Sequence, residues 1–390
     1  MKFIALILLM VSSISSAYSS EYLIRSEEEF KETLSKVRPG DVVIIANGTY
    51  RAWEQSINLE ATEDMPVIIK AEHEGKVVFT GEVVRPVFTL TGKYITLSGL
   101  VFNACNLVKA GANSGTLITM NNSDFCRVTA CVFTENVGKA QFMPLVVVAG
   151  GGNGNKVDHC TFENNIDNQD VQVKITKVLC PVNTEIRRNV FKNKKKVSWK
   201  DNNGGECVQI GQDPVLLGNK EAFAIVSENR FVNCNAEAEV VSNKSSRNKY
   251  IKNFFSNCSG ELVMRGGHDC VIDSNVFEEN RACIRINGTG HKVTNNEILG
   301  AQTAIRLMYG MAKGKEETGF YIAASDCYVK DNTIKNTRTG ILVGDSKDTD
   351  FTGKFDQTKY PSSFIQNVSP FNNQIGDNTF VQVSQKILIQ

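Results

Sequence analysis

The run from Asn235 to His268, NAEAEVVSNKSSRNKYIKNFFSNCSGELVMRGGH, sets two carboxylates, a lysine and an arginine among residues that otherwise read as short buried strands. Alternate side chains of a strand share a face, so Glu237 and Glu239, with Ala238 between them, point the same way. Like charges held together call for a cation. The same Glu-x-Glu spacing also suits a plain solvent-facing strand. Upstream, Asn203 opens NGGECVQIG, whose paired glycines let the backbone come close to a bound group. One amide oxygen and two carboxylates make a hard-oxygen set suited to Ca2+, with water and substrate completing the shell. Lys244 in SNKSS and Arg265 in LVMRGG are 21 residues apart, the length of one β-solenoid coil. Both cations then lie in adjacent rungs beside the acidic pair. Lys244 is an odd number of residues from Glu239, so a corner near Ser242 and Asn243 must re-aim it.

The elements that would hold these groups follow from a recurring phrase: apolar, polar, x, Asn or Cys, x, Phe, x, x, Asn. It appears as VTACVFTEN (128–136), VDHCTFENN (157–165), IRRNVFKNK (186–194), VSENRFVNC (226–234), YIKNFFSNC (250–258) and IDSNVFEEN (272–280), with aliphatic versions at 293–301 and 329–337. The anchors Phe231, Phe255, Phe277 and Ile298 are spaced 24, 22 and 21 residues apart. That period suits a coil of three short strands and is too short for a propeller blade. Asparagines recurring beside a buried strand stack in ladders and tolerate tight corners. Ser26 with Glu29 has the form of a capping box, and Phe30, Leu34 and Val37 follow helical spacing. A short helix there would cover the open end of the solenoid. The polar insert around 344–372 either walls a groove or is a loop.

Met1 to Ala17 reads as a secretory signal: Lys2, the apolar run FIALILLMV, then small residues. This predicts a secreted or periplasmic protein with no membrane span, since the run falls short of the ~18 residues a span needs. Lys2 is the leader's one charge, which leaves 42 basic against 42 acidic residues in the rest of the chain. A polyanion would therefore need a local patch, for which RRNVFKNKKKVSWK (187–200) is a candidate alongside a plain solvated loop. Zero net charge and an export signal argue against nucleic acid. Eleven cysteines is an odd count, and Cys131, Cys160, Cys234 and Cys258 share one repeat position. Buried thiols stacked inside the coil explain this better than a disulfide framework.

On Asn203 in NGGECVQIG, Glu237 and Glu239 in AEAEVVSNKSS, Lys244 in the same run and Arg265 in MRGG, the chain resembles polysaccharide lyase family 6, which includes alginate lyases and the dermatan-cleaving chondroitinase B. The resemblance implies a right-handed parallel β-helix, with residues 21–390 as one catalytic domain. It implies Asn203, Glu237 and Glu239 as calcium ligands, Lys244 as the Brønsted base and Arg265 as the partner cation. Family members commonly carry histidine directly after the arginine, whereas this chain has Gly266 there and His268 two residues later. The acid of the chondroitinase branch has only Glu316 and Glu317 in AKGKEET as nearby candidates. With a uronic-acid polymer as substrate, β-elimination removes the proton at C5, beside the carboxylate. A lysine acts as base only as the free amine, and neighbouring cations disfavour the ammonium form. The leaving O4 then takes a proton from Arg265, His268 or a water. One coil after Arg265, Arg285 and His291 in IRINGTGH either bind substrate carboxylates or are structural, and Arg306 follows a coil later.

Alginate is the expected polymer, because SNKSS resembles the alginate-cleaving branch, with dermatan sulfate as the alternative. A glycosidase would need paired acids flanking the bond, and the best acid pair here has cations for neighbours. A non-catalytic glycan-binding solenoid would bind the polymer without producing unsaturated ends.

Overall fold

The computed structural model describes residues 19–51, 53–213, 218–317, 319–354, 358 and 363–390. The leader Met1–Ala17 lies outside them. Short parallel strands pair with strands one coil away, and one sheet runs through 13 of them, from Glu21–Ile24 to Gln374–Gly376. The remaining two faces of each coil join into a second, 23-stranded parallel sheet. The architecture is a parallel β-helix. Its helix, Glu27–Leu34, is capped by Ser26, whose side chain accepts from the Glu29 amide, and Phe30 packs on Trp53 and Phe88 at the first coils.

The repeating phrase explains the coil. Its Phe forms an interior column, Phe102, Phe133, Phe162, Phe191, Phe231, Phe255 and Phe277, with ring centroids 4.6–5.1 Å apart and near-parallel planes. Offset aromatic pairs of this kind contribute about 0.5–1.5 kcal/mol each beyond the area they bury. Its Asn forms a second column. Asn189, Asn229, Asn253, Asn275, Asn296, Asn332 and Asn378 pass a hydrogen bond from each Nδ2 to the next Oδ1 at 2.9–3.1 Å. Each amide thereby satisfies corner backbone that the strands leave unpaired. All eleven cysteines are free, and all but Cys180 are buried.

The basic run 187–200 is largely neutralised where it stands. Arg187 meets Glu185, Arg188 meets Glu228, Lys192 meets Glu163, and Lys194 is buried against Asp170 at 2.7 Å. Only Lys195, Lys196 and Lys200 of that run are exposed without such a partner among the described residues, too few to make the polyanion patch the sequence suggested. No helix among the described residues is long and apolar enough to cross a membrane.

Six strands of one face carry candidate residues or their partners: β1 (Gln169–Val173), β2 (Val208–Ile210), β3 (Glu239–Lys244), β4 (Glu261–Gly266), β5 (Ala282–Ile286) and β6 (Thr303–Met308).

Candidate functional site

Lys244 ends β3, and its orientation comes from a β-bulge. Glu239 pairs with Glu261 of β4 while Val241 pairs with the next residue, Leu262, so Val240 is one residue too many. The extra residue restores the alternation that an odd spacing would break. Val241 and Asn243 turn inward, Asn243 accepting from the Tyr250 hydroxyl at 2.8 Å, and Glu239 and Lys244 turn to the outer face. The sequence placed the re-aiming corner near Ser242 and Asn243, and the structure achieves it at Val240. A second irregularity, on β4, lets Arg265 bulge between Met264 and Gly266.

Lys244, Arg265 and Asn203 line one groove of about 390 Å³, with Gln172, Gln209 and Phe320 among its walls. The Lys244 amine lies 3.5 Å from Glu206 Oε1 and is itself buried. Arg265 Nη1 donates to Glu239 Oε1 at 3.4 Å, and its guanidinium sits under the rings of Phe320 and Tyr321, 5.0 and 5.4 Å from their centroids. Burial opposes the charge of Arg265, but Glu239, Tyr321, Glu206 and Glu237 together outweigh it and keep the guanidinium protonated more firmly than usual. Phe320 and Tyr321 belong to the loop after β6, and Phe351 of the later insert packs on Tyr321, so both insertions build this wall.

Burial likewise opposes the charge of Glu239, yet Arg265, Arg285 and Lys244 hold its carboxyl down at about 2. Glu237 is the reverse case. Burial and the charges of Glu206 and Glu239 push it up to about 10, which Lys244 offsets only in part, so it holds its proton. Its Oε2 accepts from the Gly204 amide at 3.2 Å, while Oε1, like Oε2 of Glu239, is buried without a partner. Two orphaned carboxylate oxygens and a carboxyl forced neutral fit a bound hard cation. Among the described residues no three His, Cys, Asp or Glu side chains form a metal cluster, so a metal here would need the Asn203 amide as well.

The remaining candidates are each engaged by other protein groups. Arg285 Nη2 donates to Glu239 Oε1 at 2.5 Å, so its charge is spent on the acidic pair. Arg306 does the same one rung on, bonding Glu261 and, at 2.7 Å, Asp345. His268 bonds Asp269 at 2.9 Å, which in turn holds Lys315. His291 is fully buried: Nδ1 accepts from the Cys270 amide at 3.1 Å and Nε2 lies 3.2 Å from the Asn287 carbonyl. That places it in the coil wall, beyond reach of substrate, where the sequence reading had offered substrate contact. Glu317 accepts from the Lys313 amide of its own exposed loop.

Glu206 is the residue sequence reasoning passed over. It is buried, and Gln209, Gln169 and Lys244 converge on it at 2.6, 2.9 and 3.5 Å. Its signal was present: a lone charge opening the apolar strand ECVQIG, directly after the glycine pair.

A family model described as Chondroitinase B matches residues 24–390. Among solved structures the chain is similar to a mannuronic acid specific polysaccharide family 6 lyase from human gut microbiota, with TM-score 0.77 and 24% identity over 95% of this chain and 82% of that one. It is also similar to the PL6 family polysaccharide lyase Pedsa3628 from Pseudopedobacter saltans, with TM-score 0.70 and 20% identity over 95% and 92% of the two chains. The PL6 family alginate lyase AlyGC gives TM-score 0.71 and 22% identity, covering 94% of this chain and about half, 52%, of its own. Comparison with curated proteins gives no match.

Proposed function

Because the chain belongs to the chondroitinase B family of polysaccharide lyases, we propose that it cleaves alginate by β-elimination, with Lys244 as base, Arg265 as partner cation and Ca2+ at Asn203, Glu237 and Glu239. The observation that carries this reading is the shared groove: an amine and a guanidinium held by buried carboxylates, Glu206 and Glu239, open to one cavity large enough for sugar rings. Lys244 takes the C5 proton of the uronate. Arg265, kept charged by Glu239, neutralises the uronate carboxylate or supports protonation of the leaving O4. Calcium, when bound, supplies Lewis-acid stabilisation of charge developing on that carboxylate.

The similar structures described as a mannuronic acid specific lyase and as an alginate lyase support alginate as the polymer. The family description supports dermatan sulfate as the second reading. The leader read in the sequence suits an enzyme exported to its polymer. Alginate, its mannuronate-rich and guluronate-rich blocks, and dermatan sulfate, followed by ultraviolet absorbance of the new C4–C5 double bond with and without chelator, test the proposal. Absorbance on dermatan sulfate alone would replace alginate, and binding without absorbance on any of them would remove the lyase mechanism.

A further inference from the structure

We propose that Phe142 and Lys174 form a uronate-binding subsite two rungs on the N-terminal side of Lys244, the ring stacking on a pyranose and the ammonium pairing with its carboxylate. The inference rests on the reading that the groove takes a uronate polymer, and it adds where a second sugar is gripped.

The register sets the geometry. Val173 of β1 pairs with Ile210 of β2, which pairs with Asn243 of β3. The residues that follow these three, Lys174, Gly211 and Lys244, therefore form one column up the groove wall. Neighbouring rungs lie ~4.8 Å apart, which sets the two lysines ~10 Å from each other along the solenoid axis. Between them stands Gly211, at φ +78, where a Cβ would lie 3.0 Å from the Lys244 carbonyl oxygen. At that rung the column itself carries no side chain, while Gln212 and Asp213 line the groove beside it. Lys174 is exposed, lines the groove and has no carboxylate partner among the described residues.

Phe142 lines the same groove and is 50% exposed. It is anchored: Gln141 beside it donates to both oxygens of Asp201 at 2.8 and 3.0 Å and to the Asn203 carbonyl at 3.0 Å. Its ring edge rests on Gly204, where a Cβ would come within 3.2 Å of it. The backbone at Phe142 is left-handed, φ 61, the corner conformation that Tyr94, Phe125 and Phe223 also adopt. A large apolar ring held this way, half open beside an unpaired ammonium, matches the two-sided chemistry of a uronate, apolar ring face and anionic edge.

The test measures calorimetric affinity for a hexameric alginate oligosaccharide on a Lys244→Ala background, so that the oligomer survives. Phe142→Ala and Lys174→Ala should each weaken binding roughly tenfold, and Phe142→Tyr, which keeps the ring, should restore it. With a carboxyl-reduced hexamer, Lys174→Ala should add no further loss while Phe142→Ala still does. Parent-like affinity in both alanine variants would overturn the subsite and leave the groove reading standing. A parent that binds no uronate oligomer would overturn the groove reading and the subsite with it.

Discussion

The amine of Lys244 stands 3.5 Å from Oε1 of Glu206, an acid that two glutamines, Gln169 and Gln209, also address. A lysine so tethered keeps one rotamer over the groove, which is what a proton acceptor needs. Lys244→Ala should abolish the unsaturated product while far-ultraviolet circular dichroism stays that of the parent. Normal turnover in that variant would remove the base assignment.

Glu237 and Glu239 give the second prediction. If their orphaned oxygens grip calcium, Ca2+ at a hundredfold over its dissociation constant should stabilise the fold by about 2.7 kcal/mol. Glu237→Gln should erase that thermal shift, and strong chelation of the parent should mimic it. A melting temperature indifferent to both calcium and chelator would count against the metal.

Glu239 has a further duty. It is the shared acceptor for Arg265 and Arg285, so Glu239→Gln leaves two buried guanidiniums with no full charge opposite them. About 3–5 kcal/mol of stability should go, read from a denaturant midpoint, and more activity than Glu237→Gln costs at saturating calcium. A fully stable variant would mean that solvent satisfies the arginines.

His291 predicts a pH effect. Burial pushes its imidazole down to about 4 from an ordinary 6.5, against the weaker opposite pull of the Asn287 carbonyl and Asp269. The unfolded chain therefore binds the proton more readily than the folded one. Stability is present in full above pH 6.5 and is lost as pH falls toward 4, by about 3 kcal/mol. Other coils use asparagine at this place: Cys126, Ala224 and Cys327 amides donate to Asn155, Asn248 and Asn373. His291→Asn should fold and flatten that acid slope in a series of melts. An unchanged slope would assign the effect to another group.

The asparagine ladder gives the last. Asn275 accepts from both the backbone and the side chain of Asn253 and donates to the Tyr250 carbonyl and Asn296. Asn275→Ala strands those buried partners and should lower stability by roughly 2–3 kcal/mol in chemical denaturation.

The coil was legible because its rule is local. A Phe and an Asn at fixed offsets, repeated every 21 to 24 residues from Phe231 to Ile298, state the period, the interior column and the corner at once. The grouping of Asn203, Lys244 and Arg265 along one groove follows from that period. What stayed hidden depends on partners two coils away. Arg285 and Arg306 looked free to meet substrate because nothing near them in sequence shows Glu239 and Glu261 reaching forward from 46 and 45 residues before. The bulge at Val240 was invisible for the same reason, since it exists only as a mismatch between two strands. His291 was misjudged although its frame is written in the chain: HKV at 291–293 repeats NKV at 155–157.

Lys244 and Arg265 are borne on the rungs themselves, whereas Phe142 and Phe320 reach the groove from turns where the chain leaves the coil. A turn can lengthen, shorten or change its aromatic without shifting a strand, so under the proposed function the hold on a sugar and the proton transfer would answer to different segments. Such a scaffold can be refitted from one acidic glycan to another by altering its bends, with the reaction centre carried over untouched.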